Sequence, residues 1–356
     1  MQPEEIQSVA TDECISAGAK IIGWAEKRVR KDTGVKRRGV GMATMEHASG
    51  AAPLMLEHSN ACIKLNEDGS AVLVVSPCEM GQGILGVLAQ IAAEELGLRP
   101  DDIHVVSGDT DITRFDVGSH ASRSTYVIGN AVLKAAREVK RKVLERAAIF
   151  LDVSVDKLEA QNGRVYDKSN PEKEISISEV VKEAMYNFKQ QCLQITGEAS
   201  HEATTLSPPG QACFAEVEVN TETGEVKVLK LVIAHDIGKA INPMNVEGQL
   251  EGGVVQGLGF CLSEDFIFDT STGETITDNF NTYKLLSTLD LPEIEVLIVE
   301  EGDPIGPYGA KGVGETGMVI IAPAIANAIY HAIGVRIKDL PITPEKILQA
   351  LKNKQT

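Results

Sequence analysis

The chain has 356 residues, a formal net charge of −17 and a mean hydropathy of −0.04. That is long enough for one large or two medium domains with a real core, and its acidity excludes nucleic acid and an anionic membrane surface as partners. No run approaches the ~18–20 apolar residues of a membrane span. The six scattered cysteines (Cys14, Cys62, Cys78, Cys192, Cys213, Cys261) contain no Cys-x-x-Cys pair, which excludes a sequence-local zinc or iron–sulfur site.

The acidic start, Met1-Gln-Pro-Glu-Glu, has no apolar signal region. A cytoplasmic protein with mostly buried thiols is expected. From Glu4 to Arg30 the apolar residues Ile6, Val9, Ile15, Ala19, Ile22 and Trp24 fall at helical spacing, and a basic stretch follows. We read residues 1–40 as a docking helix and linker. Residues 61–65 and 71–75 flank Glu67-Asp-Gly69, a strong hairpin signal. The loop Pro77-Cys-Glu-Met-Gly81-Gln82-Gly83 leads into a helix over 84–96, closed by Gly97.

A short strand at 103–106 precedes a long polar loop, 107–124, and the longest helix, about 126–150. Residues 151–190 hold a smaller helix-and-strand region, and 191–212 read as loop. A second hairpin joins 214–219 to 226–233 through Asn220-Thr-Glu-Thr-Gly224. The turn Asp236-Ile-Gly238, Asn242-Pro243, a helix at 246–258, a hairpin turn at Thr270-Ser-Thr-Gly273 and a strand at 294–299 come next. A glycine-rich loop then enters an apolar helix over 318–333, and a short helix follows Pro344. The order hairpin, glycine-rich loop, helix recurs. It predicts an α+β fold of two similar halves of β-hairpins and sheets packed with helices, 41–190 and 191–356.

Three loops carry chemistry. In Tyr308-Gly-Ala-Lys311-Gly312-Val-Gly314-Glu315-Thr-Gly, four glycines surround one carboxylate at a helix start. Such a loop suits an anion or a cofactor, and Glu315 is a candidate general base; a turn with a solvated glutamate is the alternative. Gln82, between Gly81 and Gly83, both donates and accepts, which suits a ring with mixed edges such as a pterin or nucleobase. Its alternative is a helix-capping turn. In Gly118-Ser-His-Ala121-Ser122-Arg123-Ser124-Thr125, small hydroxyl residues before a helix offer N–H groups and oxygens to an anion. Arg123 has the planar fork that matches phosphate, against an ordinary serine-capped helix. Gln256 lies among the glycines of 248–259, a pattern that also serves close helix packing. His120 and His235 lack partners at ligand spacing, and neither is assigned to a metal. Any redox chemistry therefore needs a bound cofactor.

Taken in order, Glu79-Met-Gly-Gln-Gly, Gln90-Ile-Ala-Ala-Glu, Ala121-Ser-Arg-Ser-Thr, Asp236-Ile-Gly with Asn242-Pro, Val255-Gln-Gly-Leu-Gly and Lys311-Gly-Val-Gly-Glu resemble the molybdenum-binding subunit of the xanthine dehydrogenase/aldehyde oxidase family of molybdenum hydroxylases. The resemblance spans 35–350 and matches the C-terminal half of subunits about twice as long, like the split large subunits of nicotinate dehydrogenase-type enzymes. It implies a molybdopterin cofactor, by usage in bacterial relatives the cytosine dinucleotide, lined by Gly81, Gln82, Gly83, Ala121, Ser122, Arg123, Ser124, Gln256, Lys311, Gly312 and Gly314. Molybdenum would be held through the pterin and not by side chains. Glu315 would be the active-site base in hydroxylating an electron-poor carbon (of an N-heterocycle, purine or aldehyde) with oxygen from water.

The implied partners are a subunit supplying the N-terminal half, an iron–sulfur subunit with 2Fe–2S clusters, an FAD subunit and a small-molecule substrate. A reductive aryl-CoA dehydroxylase, an aldehyde oxidoreductase or a non-catalytic cofactor-holding subunit stays open. A carboxylate in the 308–317 loop argues against the last.

Overall fold

The computed structural model describes residues 6, 8–52, 54–187 and 192–355. The first residues of the expected N-terminal helix (Glu4, Glu5, Gln7) and residues 188–191, at the junction of the expected halves, lie outside the described residues. In chain order the elements are α1 (Thr11–Ile22), α2 (Trp24–Arg28), β1 (Lys36–Glu46), β2 (His58–Leu65), β3 (Ala71–Val75), α3 (Ile84–Leu96), β4 (Ile103–Val106) and α4 (Gly129–Leu151). Then come β5 (Leu158–Gln161), β6 (Arg164–Asp167), β7 (Asn170–Ser176), α5 (Ile177–Tyr186), β8 (Thr196–Glu202), β9 (Gly210–Asn220), β10 (Val226–Asp236) and α6 (Pro243–Leu262). The last are β11 (Glu293–Val299), α7 (Thr316–Val319), α8 (Ile321–Ile333) and α9 (Pro344–Gln355).

These elements form two compact units. The first is built mainly from Ala48–Ser207 with Gly302–Gly312, the second from Ser8–His47, Pro208–Glu301 and Val313–Thr356. The division differs from the two contiguous halves the sequence suggested. The reason is strand pairing: β1 runs antiparallel to β9 from Lys36↔Asn220 to Glu46↔Gly210, which carries the N-terminal segment into the second unit.

The first unit has a four-stranded sheet, β4-β3-β2-β8, and a small sheet β5-β6-β7. The second has β1-β9-β10-β11. The four-stranded sheets share one plan. A central antiparallel hairpin (β2–β3, β9–β10) is extended on one side by a parallel strand (β4, β11) and on the other by an antiparallel one (β8, β1). A helix crosses between the parallel strands (α3, α6), and the next long helix packs on the opposite pair of strands (α4 on β2 and β8, α8 on β1 and β9). A parallel pair needs such a crossover.

In the second unit the strands are buried on both faces. Ala212 and Phe214 of β9 join Cys14 and Ile22 of α1, whereas Cys213, Ala215 and Val217 join the core formed with α6 and α8. The N-terminal apolar stripe is thus covered by its own unit and is not an open docking face. The expected single helix is also two, parted by Gly23 in the left-handed region (φ 72°).

Other readings need amending. Residues 191–212 contain β8 and the start of β9. The turn at Thr270–Gly273 supports only an isolated bridge, Phe268↔Thr275. Three cysteines are buried (Cys14, Cys213, Cys261), Cys62 is half-buried, and Cys78 and Cys192 are exposed. The stretch Thr316–Ile333 does reach membrane-span length with a mean hydropathy of 1.5, but half of it is buried, and Ile320 parts it into α7 and α8. Its apolar residues Ile321, Ala324, Ile325 and Ala328 serve the core of the second unit.

The closest approach in that core is α8 on β1. A Cβ at Gly41 would lie 2.1 Å from the Ala328 amide nitrogen, and one at Gly39 would lie 2.2 Å from the Ala328 carbonyl oxygen. Gly41→Ala is therefore expected to destabilise by about 1–3 kcal/mol, because backbone must move to admit the methyl. Gly86→Ala in α3, where an added Cβ meets nothing within 4 Å, is expected to stabilise by about 0.5–1 kcal/mol. Melting temperatures of the two variants should move in opposite directions.

Candidate functional site

In each unit the candidate loops follow the C-terminal ends of adjacent parallel strands. In the first unit these are residues 76–83 after β3 and 107–123 after β4. Loops at strand C-termini of parallel pairs converge and are free to meet a ligand. The Ser107 hydroxyl donates to the Pro77 carbonyl and ties the two loops at their base.

The 76–83 loop is wound around Glu79. Its carboxylate accepts from the amides of Gly81, Gly83 and Leu85. Partial burial pushes the Glu79 carboxyl up, but the amides of Gly83, Leu85, Gly81 and Ile84 outweigh this and hold it below its usual range. Gln82 folds back on the loop: Oε1 accepts from Met80 N at 2.6 Å and Nε2 donates to Cys78 O at 2.8 Å. One N–H and one lone pair of that amide remain for a ligand. Gly81 (φ 102°) and Gly83 (φ 77°) both need the left-handed region, and an added Cβ at Gly81 would meet nothing within 4 Å.

The 107–123 loop is shaped by Arg123. This residue is fully buried and spends its fork inside the protein. Nε pairs with Glu57; Nη1 donates to Asp116 Oδ1 at 2.9 Å and Gly118 O at 3.0 Å, and Nη2 to His58 O at 2.8 Å. Arg123 is therefore an internal staple and not the phosphate-facing fork that its loop suggested. What it fixes is the strained pair beside it, Ala121 (φ 46°) and Ser122 (φ 53°), both in the left-handed region that L residues avoid. The Ala121 carbonyl accepts from Gly50 N at 2.8 Å.

Gly312 passes so close that a Cβ there would lie 1.9 Å from the Ser122 carbonyl oxygen, and its own amide donates to Ser49 Oγ at 2.7 Å. Lys311 is buried inside the same unit, so its ammonium is not open to a ligand. Ser124 opens a π-helical turn, Ser124–Ile128, that has no side-chain cap. This removes the serine-capped-helix alternative. Beside the strained pair, Ser119 Oγ, His120 Nε2 and Asp116 Oδ2 are buried without a hydrogen-bond partner.

In the second unit Glu315 stands at the head of α7. Its backbone is set from below. His235, at the end of β10 and fully buried, meets Thr316 Oγ1 through Nε2 at 2.7 Å and the Asp236 carbonyl through Nδ1 at 2.9 Å. A carbonyl only accepts, so the proton is assigned to Nδ1 and the Thr316 hydroxyl donates to Nε2. The same hydroxyl oxygen accepts weakly from Gly314 N at 3.4 Å. From the side, α6 packs on α7 through glycines: a Cβ at Gly253 would lie 2.7 Å from Gly317 backbone, and one at Gly257 2.7 Å from Met318 O. Gln256, beside Gly257, is exposed.

The Glu315 side chain itself is 47 % exposed, with His47 Nε2 3.8 Å from Oε2. The sequence suggested an enclosed carboxylate; here the turn is held through Thr316 and the side chain is about half exposed. His47, just past the end of β1, was missed by sequence reasoning, and His235 was weighed only as a metal ligand and not assigned. His235 lies in β10 and not in a loop, and its contact with Thr316 is made by the fold.

Residues 17–292 match the molybdopterin cofactor-binding domain family, and the chain belongs to that family. It is 34 % identical over 351 residues to the xanthine dehydrogenase molybdenum-binding subunit of Escherichia coli O157:H7, covering 97 % of this chain and 46 % of that protein. It is 32 % identical over 331 residues to the 6-hydroxypseudooxynicotine dehydrogenase complex subunit gamma of Paenarthrobacter nicotinovorans, covering 91 % and 41 %. Among solved structures, quinoline 2-oxidoreductase from Pseudomonas putida 86 superposes with a TM-score of 0.88 at 28 % identity, over 97 % of this chain and 46 % of that one. The chain spans about half the length of the curated relatives it matches.

The first unit's donor set fits such a cofactor. It offers the Gln82 amide with spare capacity, a strained Ala–Ser pair and orphaned buried polar atoms, all suited to pterin and phosphate hydrogen bonding. Among the described residues no group of three His, Cys, Asp or Glu side chains is arranged to hold a metal ion.

Two outcomes follow from the electrostatics. Arg123→Met leaves Glu57 and Asp116 as buried charges, and is expected to destabilise by roughly 3–5 kcal/mol in urea unfolding. A phosphate-facing arginine would instead cost ligand binding and little stability. For Glu79, the amides favour the ionised carboxylate. The loop contribution is thus complete above the ordinary carboxylate value near about 4.3 and is lost as pH falls through the depressed value. Hydrogen exchange at Gly81, Gly83 and Leu85 should stay slow down to that range and quicken below it, and Glu79→Gln should be fast throughout.

Proposed function

We propose that the chain is the molybdopterin-binding, catalytic part of a cytoplasmic, multi-subunit molybdenum hydroxylase. It acts on an electron-poor carbon of an N-heterocycle, purine or aldehyde, with oxygen drawn from water. The observation that carries the reading is Glu315: its turn is held through Thr316 and His235 while its side chain is 47 % exposed, within reach of a ligand as a general base must be. The similarity to xanthine-, quinoline- and 6-hydroxypseudooxynicotine-directed enzymes supports the N-heterocycle class in particular.

Gly81, Gln82, Gly83, Ala121, Ser122, Ser124 and Gly312 form the first unit's cofactor cradle; Gln256 and Gly314, in the second unit, are assigned to the cofactor by the family resemblance alone. Arg123 and Lys311 shape the cradle from within. The bound cofactor, in its cytosine dinucleotide form, supplies the two-electron redox chemistry. Glu315 takes the proton released as the new carbon–oxygen bond forms, with His47 Nε2 3.8 Å from its carboxylate. Electrons leave to 2Fe–2S and FAD groups on partner subunits, and a further polypeptide segment provides the half of the relatives' length that this chain does not span.

Glu315→Gln keeps shape and hydrogen-bonding reach but removes basicity. The variant complex is expected to retain molybdenum and pterin. Its reduction by substrate should be slower by about 10²–10⁴-fold, read by rapid mixing with xanthine, quinoline and an aromatic aldehyde as probes. Reduction at the wild-type rate by a probe that wild type oxidises would remove Glu315 from the mechanism.

A further inference from the structure

The 264–292 segment between α6 and β11 is long for a connection with almost no regular structure, yet it is built and not slack. Tyr283 donates its hydroxyl to Glu264 at 2.7 Å, the Thr277 hydroxyl accepts from Ile267 N at 2.9 Å, and Asp269, Asn279 and Asp290 close local turns through their side chains. Leu286 and Leu291 pack onto the core of the second unit.

From this anchored frame a run of large apolar side chains faces outward: Phe266, Phe268, Ile276, Phe280, Leu285 and Leu289, with Phe280 79 % and Leu289 95 % exposed. Singly scattered exposed apolar residues are ordinary, but a run of them on one segment marks an interaction surface. The run continues onto α6 through Phe260, which is 52 % exposed and one turn beyond Gln256. The segment also carries six carboxylates (Glu264, Asp265, Asp269, Glu274, Asp278, Asp290) against one lysine, Lys284.

We propose that the 264–292 segment, with the Phe260 end of α6, is the docking surface for the polypeptide that supplies the remaining half of the relatives' molybdenum-binding length. The occupant is identified by two observations. Matched relatives are about twice as long as this chain and the match covers 46 % of them, so a domain-sized piece is unaccounted for. Six carboxylates on the same segment as the apolar side chains select a partner presenting apolar side chains together with lysine and arginine. A second copy of this acidic chain would set carboxylates against carboxylates. The inference rests on the proposed function only for the identity of that occupant. It replaces the N-terminal helix as the contact, since the stripe of α1 is already covered by Phe214 and its neighbours.

The test uses the chain with an affinity tag, produced in its own host. Wild type is expected to bring down a polypeptide whose sequence matches the part of the relatives not spanned here, with hydrogen exchange over 264–292 slowed in the complex. Phe280→Asp combined with Leu289→Asp should cut that recovery at least tenfold. Val29→Asp, at an exposed apolar residue just after α2 (76 % exposed), should leave it unchanged. All three side chains are exposed, so circular dichroism should match wild type; should the double variant misfold, the exchange measurement on wild type decides.

Where the remaining half proves continuous with this chain, the same protection, and its loss in the double variant, are read within the longer chain. Full recovery with the double variant, unprotected exchange over 264–292, or a homodimer broken by these substitutions would each overturn the proposal. Molybdenum and pterin content of the wild-type complex is read separately. An assembled complex without pterin overturns the proposed function and leaves the docking surface standing, and a loaded complex indifferent to the substitutions does the reverse.

Discussion

The first unit depends on one buried ion triad. Arg123 between Glu57 and Asp116 removes three charges from water, an arrangement that is tolerable only because every arm of the guanidinium has a partner. Glu57 also accepts from Ala51 N at 2.6 Å, so the same carboxylate holds the 49–51 turn. From that turn Ser49 receives the Gly312 amide and Gly50 donates to Ala121. Three distant stretches of chain are thereby set around Ala121 and Ser122. Each residue held in the left-handed region costs on the order of 1–3 kcal/mol and persists only where its surroundings over-determine it. The staple supplies that over-determination, and what it presents is a strained turn with two carbonyls and two amides in fixed directions.

The second unit repeats the sheet plan with different chemistry at the corresponding place. Where the loop after β4 is held by charges, the Glu315 turn is held by a chain of hydrogen bonds, Asp236 carbonyl to His235 to Thr316 to Gly314. The glycines of α6 complete the support, because only residues without Cβ let the helix lie against the backbone of 317–318.

Local structure was legible where chemistry is local. The hairpin at 61–75 follows from Asp68-Gly69, and the helix at 84–96 with its Gly97 terminus appears with those bounds. The recurrence of hairpin, loop and helix foretold the doubled plan. Non-local choices were not legible. Which strand takes the free edge of β9 is decided by β1, far away in sequence, and no short-range signal encodes that pairing. The fate of charged side chains was equally hidden: Arg123 reads as a phosphate fork because its neighbours are small and polar, and only the fold reveals Glu57 and Asp116 on its two sides. Glu79, the residue that winds the Gln82 loop, was visible as part of a motif but not as its organiser.

Glu315 shows how far one chain can carry the chemistry. General-base catalysis gains when water is excluded, since water competes for the proton and screens the charges that guide it. Here the side chain is 47 % exposed, with His47 Nε2 3.8 Å from Oε2. The protein therefore provides position without enclosure. On the proposed reading the enclosure comes from the half of the relatives' length that lies outside this chain. The held turn of Glu315 and the exposure of its side chain are then complementary: the turn must be fixed before its covering arrives, because a base that had to be ordered on assembly would lose part of the geometric advantage that makes it a base.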